Sequence, residues 1–95
     1  MSRALRANKA IPMYHLYLLH CHDNTLYAGI TTDLHRRIKE HNDSALGAKY
    51  TRSRRPVKLV YSQVFANRAL ATIAEAKLKK LTRAQKLALI AKNVV

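Results

Sequence analysis

Two tyrosines, an arginine and a histidine recur at regular spacing in the first half of this 95-residue chain. Tyr27 follows Tyr17 by ten residues, and Arg37 follows Tyr27 by another ten. His41 comes four residues after Arg37, so the two would stack on one edge of a helix. A guanidinium can donate a fork of hydrogen bonds to phosphodiester oxygens, and phenols and imidazoles exchange protons with water. These residue types suit hydrolysis of a phosphate ester, which must position water and offset growing negative charge.

The tyrosines need help if one of them is to act as a general base. The pKa of a free phenol is about 10, so nearby positive charge must lower it for the group to work at neutral pH. Arg37 is one candidate for that charge. The alternative interpretation is that Tyr17 and Tyr27 are amphipathic core residues.

The segments around the tyrosines predict a β-hairpin. Residues 14–21 and 26–30 are rich in aromatic and aliphatic side chains, and turn residues separate them. Both tyrosine rings can share one face of the sheet only if Leu19 or Cys21 pairs with Tyr27, because side chains alternate along a strand. We therefore predict a hairpin loop of odd length, or a bulge, rather than a regular two-residue turn.

The remaining chain predicts helices around one more strand. A helix should follow the hairpin, because three N-cap residues precede an apolar stripe. The longest loop is expected at 43–56 and a third strand at 57–65. Asn67 is a plausible N-cap for a helix to about Leu81, and a capping box starts a last helix. The expected fold is α+β, a three-stranded antiparallel sheet flanked by helices in the order ββαβαα. The buried face of the helix after Asn67 should comprise Leu70, Ile73, Ala74, Leu78 and Leu81.

The charge of the chain points to a polyanionic partner. Eighteen lysines and arginines against five acidic residues give a net charge of +13. Nucleic acid is the expected partner, DNA or alternatively RNA, with an anionic membrane surface second. Solubility alone requires far less charge. Basic residues interleaved with hydroxyls suit phosphate binding, and the alternative is a solvated loop. The predicted nucleic-acid-binding residues are Arg36, Lys49, Arg52, Arg54 and Arg55.

Composition excludes several classes of protein. No apolar run approaches the roughly 20 residues of a membrane span. The single cysteine, Cys21, can form neither an internal disulfide nor a thiolate cage, which fits a reducing cytoplasm. Acidic residues are too few for a paired-carboxylate site. Residues 1–12 should be a flexible basic arm and 13–95 one domain, with no obligate protein partner evident.

From Met13 to about Leu87 the chain resembles the GIY-YIG nuclease superfamily. The most specific run is LYAGITTDLHRR, residues 26–37, and a second match, GAKYTRSRRPVKLVY, covers residues 47–61. The two runs occur in the expected order. The similarity is greatest to the small stand-alone branch, which is related to the catalytic module of excision-repair nucleases and homing endonucleases.

The resemblance implies roles for individual residues. Tyr17 matches the tyrosine of the first motif, and Tyr27 and Gly29 match the tyrosine and the structural glycine of the second. Arg37 matches the catalytic arginine of the helix, and His41 matches the histidine one turn later. The family implies Tyr17 as the general base, Tyr27 as its assistant and His41 as a helper or phosphate contact. The residues alone do not divide these roles between the two tyrosines.

The resemblance also implies one metal ion. The family's metal ligand is a glutamate on the helix after the third strand, and here that can only be Glu75. It is the sole acidic residue after Asp43, in a segment with twelve lysines and arginines. We expect it to hold one Mg²⁺ or Mn²⁺, whose other ligands would be water and phosphate oxygen. The alternative is that Glu75 forms only a surface ion pair with Lys79, four residues later.

The chain departs from the family pattern at four places. The first motif reads His15-Leu16-Tyr17, so only its tyrosine is present. Ala28 occupies the middle of the second motif, and Ile30 stands where many relatives carry a lysine. The asparagine that many relatives use near the end of the module could only be Asn93.

Three functions follow as hypotheses. The first is a metal-dependent endonuclease that hydrolyses DNA, structure-selective or non-specific, with the DNA-repair setting that the resemblance implies. The second is a basic DNA- or RNA-binding module on the same fold, catalytically weak or inert. The third is a ribosome-associated RNA binder, suggested by size and charge alone. The joint presence of Tyr17, Tyr27, Arg37 and Glu75 favours the first.

Overall fold

The structure is a computed structural model and describes residues 13–92. Three antiparallel strands, β1 (Tyr14–Cys21), β2 (Leu26–Thr31) and β3 (Val57–Phe65), form one sheet in the order β2-β1-β3. The helices are α1 (Leu34–Asp43), α2 (Lys49–Arg52), α3 (Arg68–Lys79) and α4 (Arg83–Lys92). The predicted α+β class and antiparallel sheet are confirmed. The predicted basic arm, residues 1–12, and Asn93 lie outside the described residues.

Three of the four described helices, α1, α3 and α4, begin where local side-chain chemistry predicts. The Asp33 carboxylate accepts the Arg36 amide at 3.1 Å, which caps α1. The Asn67 side chain accepts the Leu70 amide at 2.9 Å and caps α3. At α4 the backbone and side chains of Thr82 and Gln85 exchange hydrogen bonds of 2.9 and 3.1 Å, a complete capping box. No described helix has the length and apolar character to cross a membrane.

The hairpin has the register that places both tyrosines on one face. Leu19 pairs with Tyr27, and the Cys21 amide donates to the Thr25 carbonyl at 2.9 Å, which leaves a loop of three residues. Asn24 closes this loop in the left-handed region, with φ of 70°. A left-handed residue at the end of a three-residue loop is a common hairpin geometry. The predicted odd-length loop is therefore confirmed.

Helices pack on both faces of the sheet. One face carries Tyr17, Leu19, Cys21 and Val57, against which Tyr27 and the α1 residues Leu34 and Ile38 pack. The opposite face carries Leu16, Leu18 and Ala28, covered by α3 and α4. Because side chains alternate along β1, the two layers are formed by alternate residues of the same strand.

Two sequence predictions are wrong in detail. The loop at 43–56 contains α2, a single turn too short to produce a periodic pattern. In α3, Leu70 and Ile73 were expected to be buried but are 48% and 54% exposed. The small Ala71 is fully buried instead, because it lets the helix lie close to the sheet. Ala71, Glu75 and Leu78 follow at helical spacing, so the observed rotation of α3 turns Glu75 toward the sheet.

Candidate active site

A buried hydrogen bond joins strand β1 of the hairpin to helix α1. The Tyr17 hydroxyl lies 2.9 Å from Nε2 of His41, and the two residues are 1% and 0% exposed. Tyr17 reaches this position by lying across Gly29, its partner on β2. A Cβ atom at Gly29 would lie 2.4 Å from the tyrosine oxygen and 2.6 Å from Cζ. Gly29 is therefore required because the Tyr17 side chain occupies the space that a Cβ atom would need.

The other nitrogen of His41 is held by the short helix α2. Nδ1 lies 2.8 Å from the Thr51 hydroxyl, and that hydroxyl donates to the Ala48 carbonyl at 3.0 Å. Its single hydrogen is thereby used, so its oxygen accepts from Nδ1–H. The competing donor, the Ala48 amide, is 3.4 Å from Nδ1, beyond the usual range. We assign the proton to Nδ1, which leaves Nε2 to accept the hydroxyl hydrogen of Tyr17.

Burial keeps both members of this pair neutral. It raises the pKa of Tyr17 to about 12, although a hydrogen bond from Arg37 and its positive charge act in the opposite direction. Burial lowers the pKa of His41 to about 4, and the charge of Arg37 adds to this effect. Arg37 thus acts on Tyr17 in the expected direction, but desolvation outweighs it. At neutral pH Tyr17 is a phenol and His41 an uncharged imidazole.

Tyr27 lies beside this pair and is half-buried. Its ring meets His41 edge-on, with centroids 5.3 Å apart, and stacks on Tyr50 at 5.5 Å. The Arg54 guanidinium lies 4.0 Å from the Tyr50 centroid and pairs with Asp23 at 2.9 Å. These contacts connect the hairpin loop to α2 and hold the Tyr27 ring on two sides.

Arg37 completes the cluster from α1. Its Nη1 donates to Glu40 at 2.9 Å and to the Leu46 carbonyl at 2.7 Å. Burial opposes its charge, yet its hydrogen bonds to Glu40 and Tyr17 raise its pKa above the ordinary value. The guanidinium is therefore fully charged and oriented next to Tyr17.

Glu75 stands on α3, and its side chain is 21% exposed. Its carboxylate pairs with Lys79 at 3.2 Å, the i,i+4 contact expected from spacing. It is also one of the charges that raise the pKa of Tyr17, so it lies within electrostatic reach of the tyrosine. Within residues 13–92 no three histidine, cysteine or acidic side chains form a group that could hold a metal. One carboxylate, completed by phosphate oxygens and water, fits the way Mg²⁺ is usually bound.

The predicted phosphate-binding residues differ in their surroundings. Arg55 donates to the carbonyls of His41, Glu40 and Ser44, and so covers the C-terminal end of α1. Arg54 has the contacts with Tyr50 and Asp23 described above. Lys49 and Arg52 are exposed on α2, and Arg36 lies 3.7 Å from Glu40 with its side chain 59% exposed. Nucleic-acid binding by these five residues stays a prediction.

Two residues of the site were not singled out from the sequence. Thr51 and Tyr50 are neighbours on α2, and they support His41 and Tyr27 respectively. The only signal available was the interleaving of hydroxyls with basic residues in that segment, which was interpreted as phosphate binding. Partners of this kind become visible only once α2 is placed against α1.

Comparison with known proteins gives consistent matches. The model of the GIY-YIG catalytic domain matches residues 13–88. A UPF0213 protein of Clostridium perfringens is 51% identical over 83 residues, 87% of this chain and 88% of the relative. One from Desulfotalea psychrophila is 49% identical over 79 residues, 83% of this chain and 72% of the relative. The solution NMR structure of a UPF0213 protein from Bacillus halodurans is similar, with a TM-score of 0.56 and 41% identity over 85% of each chain. The chain therefore belongs to the GIY-YIG catalytic domain family, alongside the UPF0213 proteins.

Proposed function

We propose that this protein is a metal-dependent endonuclease that hydrolyses phosphodiester bonds in DNA. The observation that carries the proposal is the buried pair of Tyr17 and His41 with Arg37 beside it, and with the Glu75 carboxylate of another helix within electrostatic reach of Tyr17. Membership of a nuclease-like catalytic family supports a nucleic-acid substrate. The net charge of +13 supports binding through the phosphate backbone.

The exposure of the two tyrosines indicates which of them can contact the attacking water. A group that takes a proton from water must touch that water. Tyr17 is 1% exposed and is occupied by His41, whereas Tyr27 is half-buried and reaches solvent. We infer that Tyr27 contacts the attacking water. Tyr17 keeps its proton, donates it in a hydrogen bond to His41 and accepts from Arg37, which it holds in place.

Arg37 and Glu75 act on the phosphate. The Arg37 guanidinium donates to the non-bridging oxygens and stabilises the negative charge that grows on them in the transition state. Its contact with Glu40 limits its rotation, so the fork is oriented before substrate binds. Glu75 would hold Mg²⁺ or Mn²⁺, and the ion when bound supplies Lewis-acid stabilisation of the leaving oxygen.

Plasmid nicking in Mg²⁺ or Mn²⁺ tests the proposal. We expect wild-type protein to nick, and Arg37→Ala and Glu75→Gln to lose at least about a hundredfold in rate. Lys79→Ala is the matched control, because it breaks the same ion pair but leaves the carboxylate. It should nick at least as well as wild type. Absence of nicking by pure wild type, or equal rates for Glu75→Gln and Lys79→Ala, would contradict the proposal.

The second candidate is a DNA- or RNA-binding module that does not cut. The ion pair of Glu75 with Lys79 favours it, since that contact alone gives the carboxylate a structural role. Under this function wild type binds without nicking, and Glu75→Gln binds as well as wild type. A screen of duplex, single-stranded, flap and junction substrates, each in DNA and RNA, separates the candidates and identifies the preferred shape.

A further inference from the structure

A polar groove opens beside Arg37. It has a volume of about 500 Å³ and lies between the end of β2, α1 and the start of α3. Its charged side chains are Arg36, Arg37 and Arg68, with Glu40 among them, and Thr32 and Tyr14 add hydroxyls. Arg37 belongs both to the groove and to the candidate active site. A ligand held in the groove would therefore continue into the site.

The groove carries uncompensated positive charge. Three arginines against one glutamate leave two positive charges in its lining. Glu40 pairs with Arg36 and Arg37, at 3.7 and 2.9 Å. Within residues 13–92, Arg68 has no acidic partner. The other four acidic side chains of the chain are engaged elsewhere, Asp23 with Arg54, Asp33 at the α1 cap, Asp43 with Lys39 and Glu75 with Lys79. An unpaired guanidinium beside hydroxyl donors suits a phosphate.

The position of Arg68 on α3 shows where the groove runs. Arg68 precedes Glu75 by seven residues, which is about two helical turns or roughly 10 Å on the same face. The groove therefore leads from the neighbourhood of Arg37 toward the N-terminal end of the helix that carries Glu75. An extended strand whose scissile phosphate lies at Arg37 can place a neighbouring phosphate near Arg68.

We propose that this groove binds the phosphate adjacent to the scissile one, with Arg68 as its principal contact and Arg36 as the second. The inference rests on the proposed function because it assumes that cleavage occurs at Arg37, but phosphate binding in the groove does not itself require cleavage. The proposal gives Arg68 a contact with the substrate, and Arg68 lies outside the motifs that carry the catalytic residues.

Binding in the presence of EDTA tests the subsite without cleavage. The slope of log affinity against log salt falls by about 0.9 for each duplex phosphate contact that is lost. We expect Arg68→Gln to reduce the slope by about that amount and to weaken binding about tenfold at moderate salt. Arg83→Gln, which removes the same charge from α4 outside the groove, should leave the slope unchanged. An unchanged slope in Arg68→Gln, or an equal fall in both variants, would overturn the subsite.

A neutral phosphate tests its place relative to the cut. Cleavage at one mapped linkage is compared with and without a methylphosphonate at the linkage on either side. Wild type should cut about tenfold more slowly when one of the two neighbours is neutral. Arg68→Gln should cut the unmodified strand more slowly than wild type, and the neutral neighbouring linkage should not slow it further. Arg83→Gln should be slowed by the neutral linkage as much as wild type is. Equal sensitivity in wild type and Arg68→Gln would overturn the assignment to the adjacent phosphate.

The two proposals fail separately. If wild type does not nick but Arg68→Gln still lowers the salt slope, the endonuclease function is wrong and the phosphate subsite stands. If wild type nicks and Arg68→Gln changes neither the salt slope nor the sensitivity to the neutral linkage, the subsite is wrong and the endonuclease function stands.

Discussion

The two halves of the candidate site are built in opposite ways. Tyr17, His41 and Thr51 lie in the core and are joined by hydrogen bonds of 2.9 and 2.8 Å. Glu75 stands on α3, partly exposed, and its ion pair is with a lysine that is 56% exposed. In the first half the chemistry is part of the folded core, so substitutions should alter stability and activity together. In the second half the carboxylate contributes little to the stability of the fold, so substitution of Glu75 should alter activity alone.

Gly29→Ala should cause the largest loss in free energy of unfolding. The new methyl group would lie 2.4 Å from the tyrosine oxygen, so the Tyr17 ring must leave its place against His41. Overpacking of a buried site typically costs about 1–3 kcal/mol, and this clash is with both the hydroxyl oxygen and Cζ of Tyr17. We expect about 3 kcal/mol by urea unfolding, with nicking lost as well.

A double substitution shows whether the ring is the cause. In a Tyr17→Ala background the space above Gly29 is empty, so Gly29→Ala should cost little there. A cost that is the same in both backgrounds would show that Gly29 is required for another reason, and that the tyrosine half is not packed as described.

Thr51→Val should be the next most damaging change. It keeps the shape of the side chain but removes the oxygen that accepts from Nδ1 of His41. A buried donor left without a partner costs about 1–3 kcal/mol, and the imidazole is free to change tautomer. We expect a loss of about 2 kcal/mol and a lower kcat, because His41 orients Tyr17.

Thr51→Ser is the control for that change. It keeps the hydroxyl and removes one methyl group, which costs about 1 kcal/mol or less. It should keep most of the kcat of wild type and the same pH profile. A serine variant as inactive as the valine variant would indicate that Thr51 matters through packing alone.

Acid should weaken the folded protein through His41. Its pKa is about 4 in the folded state, below the ordinary value of 6.5. The unfolded chain therefore binds a proton that the folded chain excludes, so this contribution to stability is complete above pH 6.5 and declines as pH falls toward 4. The slope can reach about 1.4 kcal/mol per pH unit.

The variant His41→Gln isolates this contribution. Its free energy of unfolding should be lower at pH 7 but flatter than that of wild type between pH 6.5 and 4.5, as measured by urea unfolding at several pH values. The other histidines remain in both proteins and cancel in the comparison. Parallel curves for the two proteins would show that His41 is not held neutral by burial.

The sequence was informative wherever a local rule decides the structure. The caps at Asp33 and Asn67, the capping box at 82–85 and the odd-length hairpin loop all depend on neighbouring residues. The rotation of α3 was not predictable in this way. Counting large apolar residues favoured Leu70 and Ile73, but the helix lies against the sheet through the small Ala71.

The same division holds for the candidate site. The sequence predicts the catalytic side chains Tyr17, Tyr27, Arg37 and His41, because their chemical types and their spacing can be read directly from it. Their partners on α2 depend on how a four-residue helix docks, for which no periodic signal exists. The raised pKa of Tyr17 also depends on burial, which exceeds the opposing effect of Arg37 only in the folded chain.

Glu75→Gln should have the smallest effect on stability and thereby tests the comparison most sharply. Its ion pair with Lys79 is partly exposed, and such pairs contribute about 0.5 kcal/mol or less. The amide keeps the shape of the side chain, so the free energy of unfolding should change within that amount, equally for Lys79→Ala. Nicking should be lost only in the glutamine variant. If Glu75→Gln instead lost more than about 2 kcal/mol, the carboxylate would belong to the core as Tyr17 does. Both halves of the site would then be parts of the fold, and loss of nicking in Glu75→Gln would no longer isolate a metal ligand.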